Sequence, residues 1–327
     1  MNKQQKTNRH HILTTIVFTR RQPVSQTLLG ISGLALAFAG SVAAAVPAPV
    51  LEFNFNSTAA SSTATSTGTD TATGTFHDSA GGVVSKPTNS AGLTGATNGT
   101  DDGAFNNYVT GGALGGAGDV FKVGNGADTL FSSTSFTLSG WFHTTGAPGY
   151  QKDAYLIQTD AFSVYFSGTV ASPSANMGFT VRIGTTSLTV KGTSTDPTNI
   201  LNKANQWTFF AVSYDSTLSS GNVKLYAGTD TADVKLIWAS TTQAVGLGGI
   251  TATQLAVGNG LTEQKAFRGY IDDIRLWDSV LVLDQLKDVR TADLANSAIP
   301  APVPEPSAWA FLAGATILAL AILRHRR

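Results

Sequence analysis

Carboxylates, two internal histidines and a few aromatic rings are the chemically capable groups in this chain of 327 residues. Glycoside hydrolysis needs two acids held a few ångströms apart, yet Glu52, Glu263 and Glu305 are the only glutamates and lie far from one another in sequence. Away from the termini the only histidines are His77 and His143, and neither has the spacing of a helix-borne metal site. His143 follows an apolar stretch and reads as a strand-end surface residue. No Gly-x-Ser-x-Gly elbow occurs. Cysteine is absent, which excludes Cys nucleophiles, Cys-ligated zinc, iron–sulfur clusters and disulfides. Gly124-Asn-Gly126 and the glycine pairs at 111–112 and 115–116 suit turns better than a phosphate cradle. The aspartates remain as oxygen ligands for a Ca²⁺ ion, with Asp78, Asp119, Asp272 and Asp273 as the candidates. The plainer reading has Asp273 paired with Arg275, Asp272 in a turn or at an edge, and Asp119 at a strand start. Sugar stacking would use Trp or Tyr. Trp141, Trp207 and Trp277 sit in apolar stretches and read as core, and Trp238 is ambiguous. Tyr150, Tyr155 and Tyr270 border turns and are the better platform candidates.

Charge is scarce and unevenly placed. Only 13% of residues are charged and the formal net charge is zero, which argues against nucleic acid as a partner because phosphates demand a basic footprint. Eight of the 21 basic residues lie in the two ends, before Ala45 or after Leu323, which leaves residues 46–303 at a net charge of −7. Residues 1–27 are polar and basic, Leu28 to Gly40 are apolar, and Ala43 and Ala45 stand at −3 and −1 of a cleavage point after Ala45. This is the pattern of a secretory signal peptide over 1–45, for signal peptidase to remove. An apolar run of 13 residues is short for a permanent anchor, which needs about 20. Near the other end, residues 307–323 carry no charge and are followed by Arg324-His325-Arg326-Arg327. Seventeen helical residues span roughly 26 Å, enough for a thin bilayer. The basic tail would stay cytoplasmic and everything before the span outside.

Between these ends the apolar residues alternate with period two. Leu51, Phe53 and Phe55 begin the series, followed by Phe162–Phe166, Phe179–Ile183, Trp207–Tyr214 and Val223–Ala227, with turn residues such as Ser219-Ser-Gly221 and Gly258-Asn-Gly260 between runs. Such spacing predicts an all-β sandwich or barrel. One helix is expected after Trp277, where Leu283, Leu286 and Val289 recur at helical spacing with Asp284 and Asp288 facing away. Residues 57–75 are almost wholly Ser, Thr, Ala and Gly, and read as a mobile surface loop. Residues 291–303 read as a linker.

Two resemblances sharpen this reading. Pro304-Glu305-Pro306, placed directly before the apolar span and basic tail, closely resembles the PEP-CTERM sorting signal of Gram-negative bacteria that make exopolysaccharide. That resemblance implies recognition of Pro304, Glu305 and Pro306 by an exosortase, removal of the span, and release to the cell surface or matrix. Phe53-Asn-Phe55, Phe76–Gly82, Gly112–Leu114, Gly118–Phe121, Phe136–Phe142, Trp207–Asp215 and above all Phe267–Asp278 resemble a LamG-like, concanavalin A-like jelly roll over residues 46–290. In that architecture first and last strands are neighbours, which would let Asp78 approach Asp272 and Asp273, and such domains often hold Ca²⁺ in comparable places. Its catalytic relatives carry Glu-x-Asp-x-x-Glu or Gln-Ile/Val-His, and neither occurs here. The expectation is a secreted, non-catalytic module that binds exopolysaccharide or another cell-surface glycan. The alternatives are a structural or adhesive matrix protein with no saccharide site, and a divergent glycan hydrolase or lyase.

Overall fold

The computed structural model describes residues 45–56, 61–78, 80–85, 90–93, 103–106, 118–144, 153–167, 178–191, 200–203, 205–241, 248–263 and 265–296. Its strands in chain order are β1 (Leu51–Phe53), β2 (Thr63–Thr65), β3 (Thr73–His77), β4 (Ser90–Ala91), β5 (Gly103–Asn106) and β6 (Val120–Val123). Next come β7 (Phe131–Ser133), β8 (Ser135–Thr144), β9 (Ala154–Thr159), β10 (Phe162–Ser167), β11 (Gly178–Ile183) and β12 (Thr186–Lys191). The last group is β13 (Trp207–Asp215), β14 (Val223–Thr229), β15 (Lys235–Ala239), β16 (Ile250–Ala252), β17 (Leu255–Val257) and β18 (Gly269–Trp277). A single α-helix, α1 (Leu283–Leu294), follows among the described residues.

Two antiparallel sheets face each other. The first runs β15-β14-β13-β8-β18-β5-β4, with β1 also paired to β18, and the second runs β12-β11-β10-β9-β17-β6-β3-β2. The expectation that the first strand lies beside the last holds, with Leu51 opposite Leu276. Period-two alternation explains the core: Phe136, Leu138 and Phe142 of β8, Phe210, Val212 and Tyr214 of β13, and Phe162, Val164 and Phe166 of β10 all turn into the space between the sheets. A phenylalanine group closes one end, where Phe121 meets Phe53 at 5.0 Å, Phe55 at 5.4 Å and Phe76 at 4.9 Å between ring centroids. Gly74 is required here, because a Cβ at that position would stand 2.2 Å from the Phe121 ring.

The helix forms where the apolar spacing placed it. Leu286 and Val289 are fully buried against Trp141, Phe209 and Trp277 on the outer face of the first sheet, while Asp284 and Asp288 are exposed. Gln285 steadies its start by accepting from the Val282 N–H at 3.0 Å and donating to the Ala45 carbonyl at 2.8 Å. Two boundaries differ from the sequence reading. The helix continues through Leu294 and buries Asp293, so the linker cannot begin at residue 291. The stretch 57–75 is also not simply a loop: its Thr-rich part forms β2 and the start of β3, with Thr63 opposite Thr75. Edge pairing needs only backbone groups, and those composition does not report. Residues 1–44 and 297–327, which hold Ala43, the apolar spans and Pro304-Glu305-Pro306, lie outside the described residues. Among the described residues no helix is long and apolar enough to cross a membrane.

One ion network ties these layers together. Arg275 of β18 is buried and donates through Nε to Glu52 of β1 at 2.6 Å, through one terminal nitrogen to Asp273 at 3.3 Å, and through the other to Asp293 of α1. Asp293 also accepts from the Trp141 indole at 2.7 Å, and Glu52 accepts from Thr67 at 2.8 Å. Burial works against the Arg275 charge, but Asp293, Asp273 and Glu52 outweigh it and hold the guanidinium protonated. Burial in turn pushes the Asp293 carboxyl above the ordinary range, against the pull of Arg275 and Trp141. Removing one partner of a buried network strands the other charges, at about 3–5 kcal/mol. Arg275→Met is therefore expected to lower the unfolding free energy by about that amount in urea titration. A loss below about 1 kcal/mol would show the network to be replaceable by packing.

Candidate functional site

The outer face of the second sheet carries a groove of about 610 Å³. Its floor is Thr75 of β3 and Lys122 of β6, which stand opposite each other in register, and its sides include Thr73, His77, Asn125 and Asp128. Asp70 closes the edge, in a turn whose backbone bonds to the Val50 carbonyl at 2.8 Å. The end wall is the turn after β6. Gly124 and Gly126 have φ of 78° and 82°, and a Cβ on Gly124 would meet the Thr253 carbonyl at 2.3 Å. The glycines thus serve turn geometry, as their placement between strands suggested. Lys122 is ion-paired with Glu263, and His77 Nδ1 lies 3.1 Å from the Gly81 carbonyl. Hydroxyl, amide and carboxylate groups on a shallow floor can hydrogen-bond a polyol. Sequence reasoning missed this place because half of it is built from the Thr-rich stretch that read as a loop. The Gly124-Asn-Gly126 turn was the available signal.

The four aspartates considered as calcium ligands are not brought together. Asp78 caps its own turn, accepting from the Ala80 and Gly82 N–H groups at 2.9 and 2.8 Å, directly after β3 of the second sheet. Asp119 is half-buried just before β6. Asp272 is fully buried on the helix side of the first sheet and accepts from the backbone of Asp273 at 2.8 Å and of Leu93 at 3.4 Å. Asp273 faces Arg275, so the plainer reading of that residue is the one observed. Neighbouring first and last strands do not bring Asp78 near this pair, because Asp78 follows β3 in the other sheet. Among the described residues no three His, Asp or Glu side chains gather as a metal site.

The aromatic candidates divide. Trp141 and Trp277 are fully buried as expected, whereas Trp207 is half-buried. It belongs to a row on the outer face of the first sheet, with His143 opposite Trp207 on β13 and opposite Tyr270 on β18. The ring centroids are 5.5 Å apart for His143 and Trp207 and 5.7 Å for His143 and Tyr270. His143 is thus not a free surface residue. Trp238 is half-buried and packs partly against the core. Tyr155 lies buried, stacked on Tyr165 at 4.9 Å and covered by Lys265 at 5.5 Å, and Tyr150 lies outside the described residues. Burial holds the His143 imidazole below its ordinary pKa, and its Nδ1 has no hydrogen-bond partner among the described residues. The folded state therefore binds this proton less readily than the unfolded chain, and stability is lost as pH falls below about 6.5. The melting temperature should drop from pH 7.5 to 5, and His143→Phe should flatten that part of the profile. An unchanged slope in the variant would assign the acid sensitivity elsewhere.

A search among curated proteins finds no match. Solved structures that align include a native heptameric SAP-like pentraxin from Limulus polyphemus, at 14% identity and TM-score 0.39, over 60% of this chain and 83% of that one. Domain 4 of AbnA, an extracellular arabinanase from Geobacillus stearothermophilus solved with arabinotriose, aligns at 15% identity and TM-score 0.42, over 74% and 98%. The binding domain of botulinum neurotoxin serotype C1 aligns at 11% identity and TM-score 0.47, over 75% of this chain and 52% of that one. A family model matches residues 114–287, from the approach to β6 into α1. With that match spanning more than half the sequence and the two-sheet core in place, the chain belongs to the concanavalin A-like lectin/glucanases superfamily.

Proposed function

We propose that this protein is an exported, non-catalytic module that binds glycan through the groove on the outer face of its second sheet. The observation that carries the reading is the groove itself, about 610 Å³ and lined by Thr, Asn, Asp, His and Lys side chains, in a member of a lectin and glucanase superfamily. Binding is favoured over catalysis because both described glutamates are already engaged, Glu52 by Arg275 and Glu263 by Lys122. The export half of the proposal rests on the termini. The basic and apolar leader ending at Ala43-Ala-Ala45, and Pro304-Glu305-Pro306 before an uncharged span and basic tail, would route the chain through signal peptidase and an exosortase to the surface or matrix of a Gram-negative cell. The span would anchor the protein only until it is processed.

Isothermal titration of the purified full-length protein with neutral and acidic polysaccharides tests the binding half. Thr73 is exposed on the groove wall, so Thr73→Trp is expected to weaken binding at least tenfold, about 1.4 kcal/mol, while moving stability by no more than about 0.5 kcal/mol. If no polysaccharide binds, a structural or adhesive matrix role replaces this reading, and release of reducing ends from a polysaccharide would point instead to a hydrolase. Mass spectrometry of the secreted product should find an N-terminus at Val46 and no residues 307–323. An intact chain recovered from the cytosol would end the export proposal.

A further inference from the structure

The charges along the groove of the second sheet do not cancel. Lys122 is the one cationic side chain lining it among the described residues, and its ion pair with Glu263 already neutralises it. Asp70 at the edge and Asp128 at the side are exposed, and neither carboxylate has an ion pair or a hydrogen bond among the described residues. His77 adds another acceptor. The Gly81 carbonyl, 3.1 Å from Nδ1, can only accept, so Nδ1 carries the hydrogen and the neutral ring keeps Nε2 as an acceptor. Asn125 spends its carbonyl on the Ala127 N–H at 2.8 Å, which leaves an uncharged amide donor. Thr73 shares a hydroxyl pair with Thr65 at 3.0 Å. The groove therefore presents two free negative charges and a ring acceptor, and its remaining donors are uncharged.

Such a cleft repels a polyanion and draws in a cationic donor, because its low-dielectric walls concentrate the field of the carboxylates. The body reinforces this sign, since residues 46–303 carry a net charge of −7. A protonated amino group brings three donors and no acceptor, the complement of what the groove offers, while sugar hydroxyls suit the threonines and Asn125. We propose that the groove selects a glycan bearing free amino groups, a polymer of deacetylated amino sugars, over acidic or fully acylated chains. This rests on the glycan-binding reading above and adds the ligand's class. In an open groove a single exposed ion pair is worth little, so the selection comes from Asp70 and Asp128 acting together.

The test titrates the full-length protein with glucosamine oligomers, with N-acetylglucosamine oligomers of equal length and with polygalacturonate oligomers, at a pH where the amines are protonated. The amine oligomer should bind about tenfold tighter than the acetylated one, with polygalacturonate weakest, and the advantage should shrink as salt rises. Asp70→Asn and Asp128→Asn should each lower the amine-to-acetyl affinity ratio about two- to fivefold, the worth of one exposed ion pair. The double variant should bring the ratio near one without moving the melting temperature. Asp288→Asn makes the same charge change on the exposed side of α1, outside the groove, and should leave the ratio as it was. A wild-type ratio near one, tighter binding of polygalacturonate, or a ratio that survives the double substitution overturns the inference and leaves the glycan-binding reading intact. A ratio that falls as far in Asp288→Asn assigns the preference to the charge of the whole body and overturns the groove's part in it. Absence of binding to all three removes both readings.

Discussion

The buried guanidinium of Arg275 is the constraint around which the rest of this sandwich is arranged. It sits among Glu52 of β1, Asp273 of its own strand and Asp293 of α1, so it joins the first strand, the last strand and the helix at one point. Taking four charged groups out of water is costly, and an apolar replacement of the whole set can be as stable. What the network supplies is specificity of placement. Only one docking of the helix brings Asp293 to both Arg275 and the Trp141 indole.

That placement depends on a break in a strand. In β18 strict alternation would put Ile271, Asp273, Arg275 and Trp277 on one face and Ile274 and Leu276 on the other. A bulge between Asp272 and Arg275, with Asp273 at φ 49°, changes the count. Ile271, Ile274 and Leu276 all turn inward, while Asp272 and Trp277 face the helix side. An aspartate tolerates the left-handed region better than most residues, and the Asp272 carboxylate holds the Asp273 N–H in the bulge at 2.8 Å.

Helix docking also decides which faces remain for a ligand. Along the outer face of the first sheet, the rows through Trp141 and Trp277 are covered by α1. The second sheet has no such cover among the described residues over β3 and β6, and there the groove opens. Its floor is polar for the same reason that the core is apolar. Lys122 alternates with Phe121 and Val123, and Thr75 with Gly74 and Phe76, so residues that pack the interior necessarily present their neighbours outward.

Much of this was legible in the chain. Period-two runs at Phe162–Phe166, Phe179–Ile183 and Trp207–Tyr214 all became strands, and the Leu283, Leu286, Val289 spacing became the helix. These are local patterns, and a residue's neighbours in sequence suffice to set them. The Thr-rich edge strand β2 and the Thr-rich start of β3 that pairs with it were not legible, because an edge strand held by backbone pairing needs no apolar signature. Nor was the groove, whose floor residues Thr75 and Lys122 come from strands brought side by side only by register. The sequence by itself thus determined the all-β class, the strand-bearing segments and the helix. Tertiary structure alone decided that Arg275 is shared by three acids, Glu52, Asp273 and Asp293. A charge's partner depends on which strand or helix lies across from it, and sequence separation does not encode that.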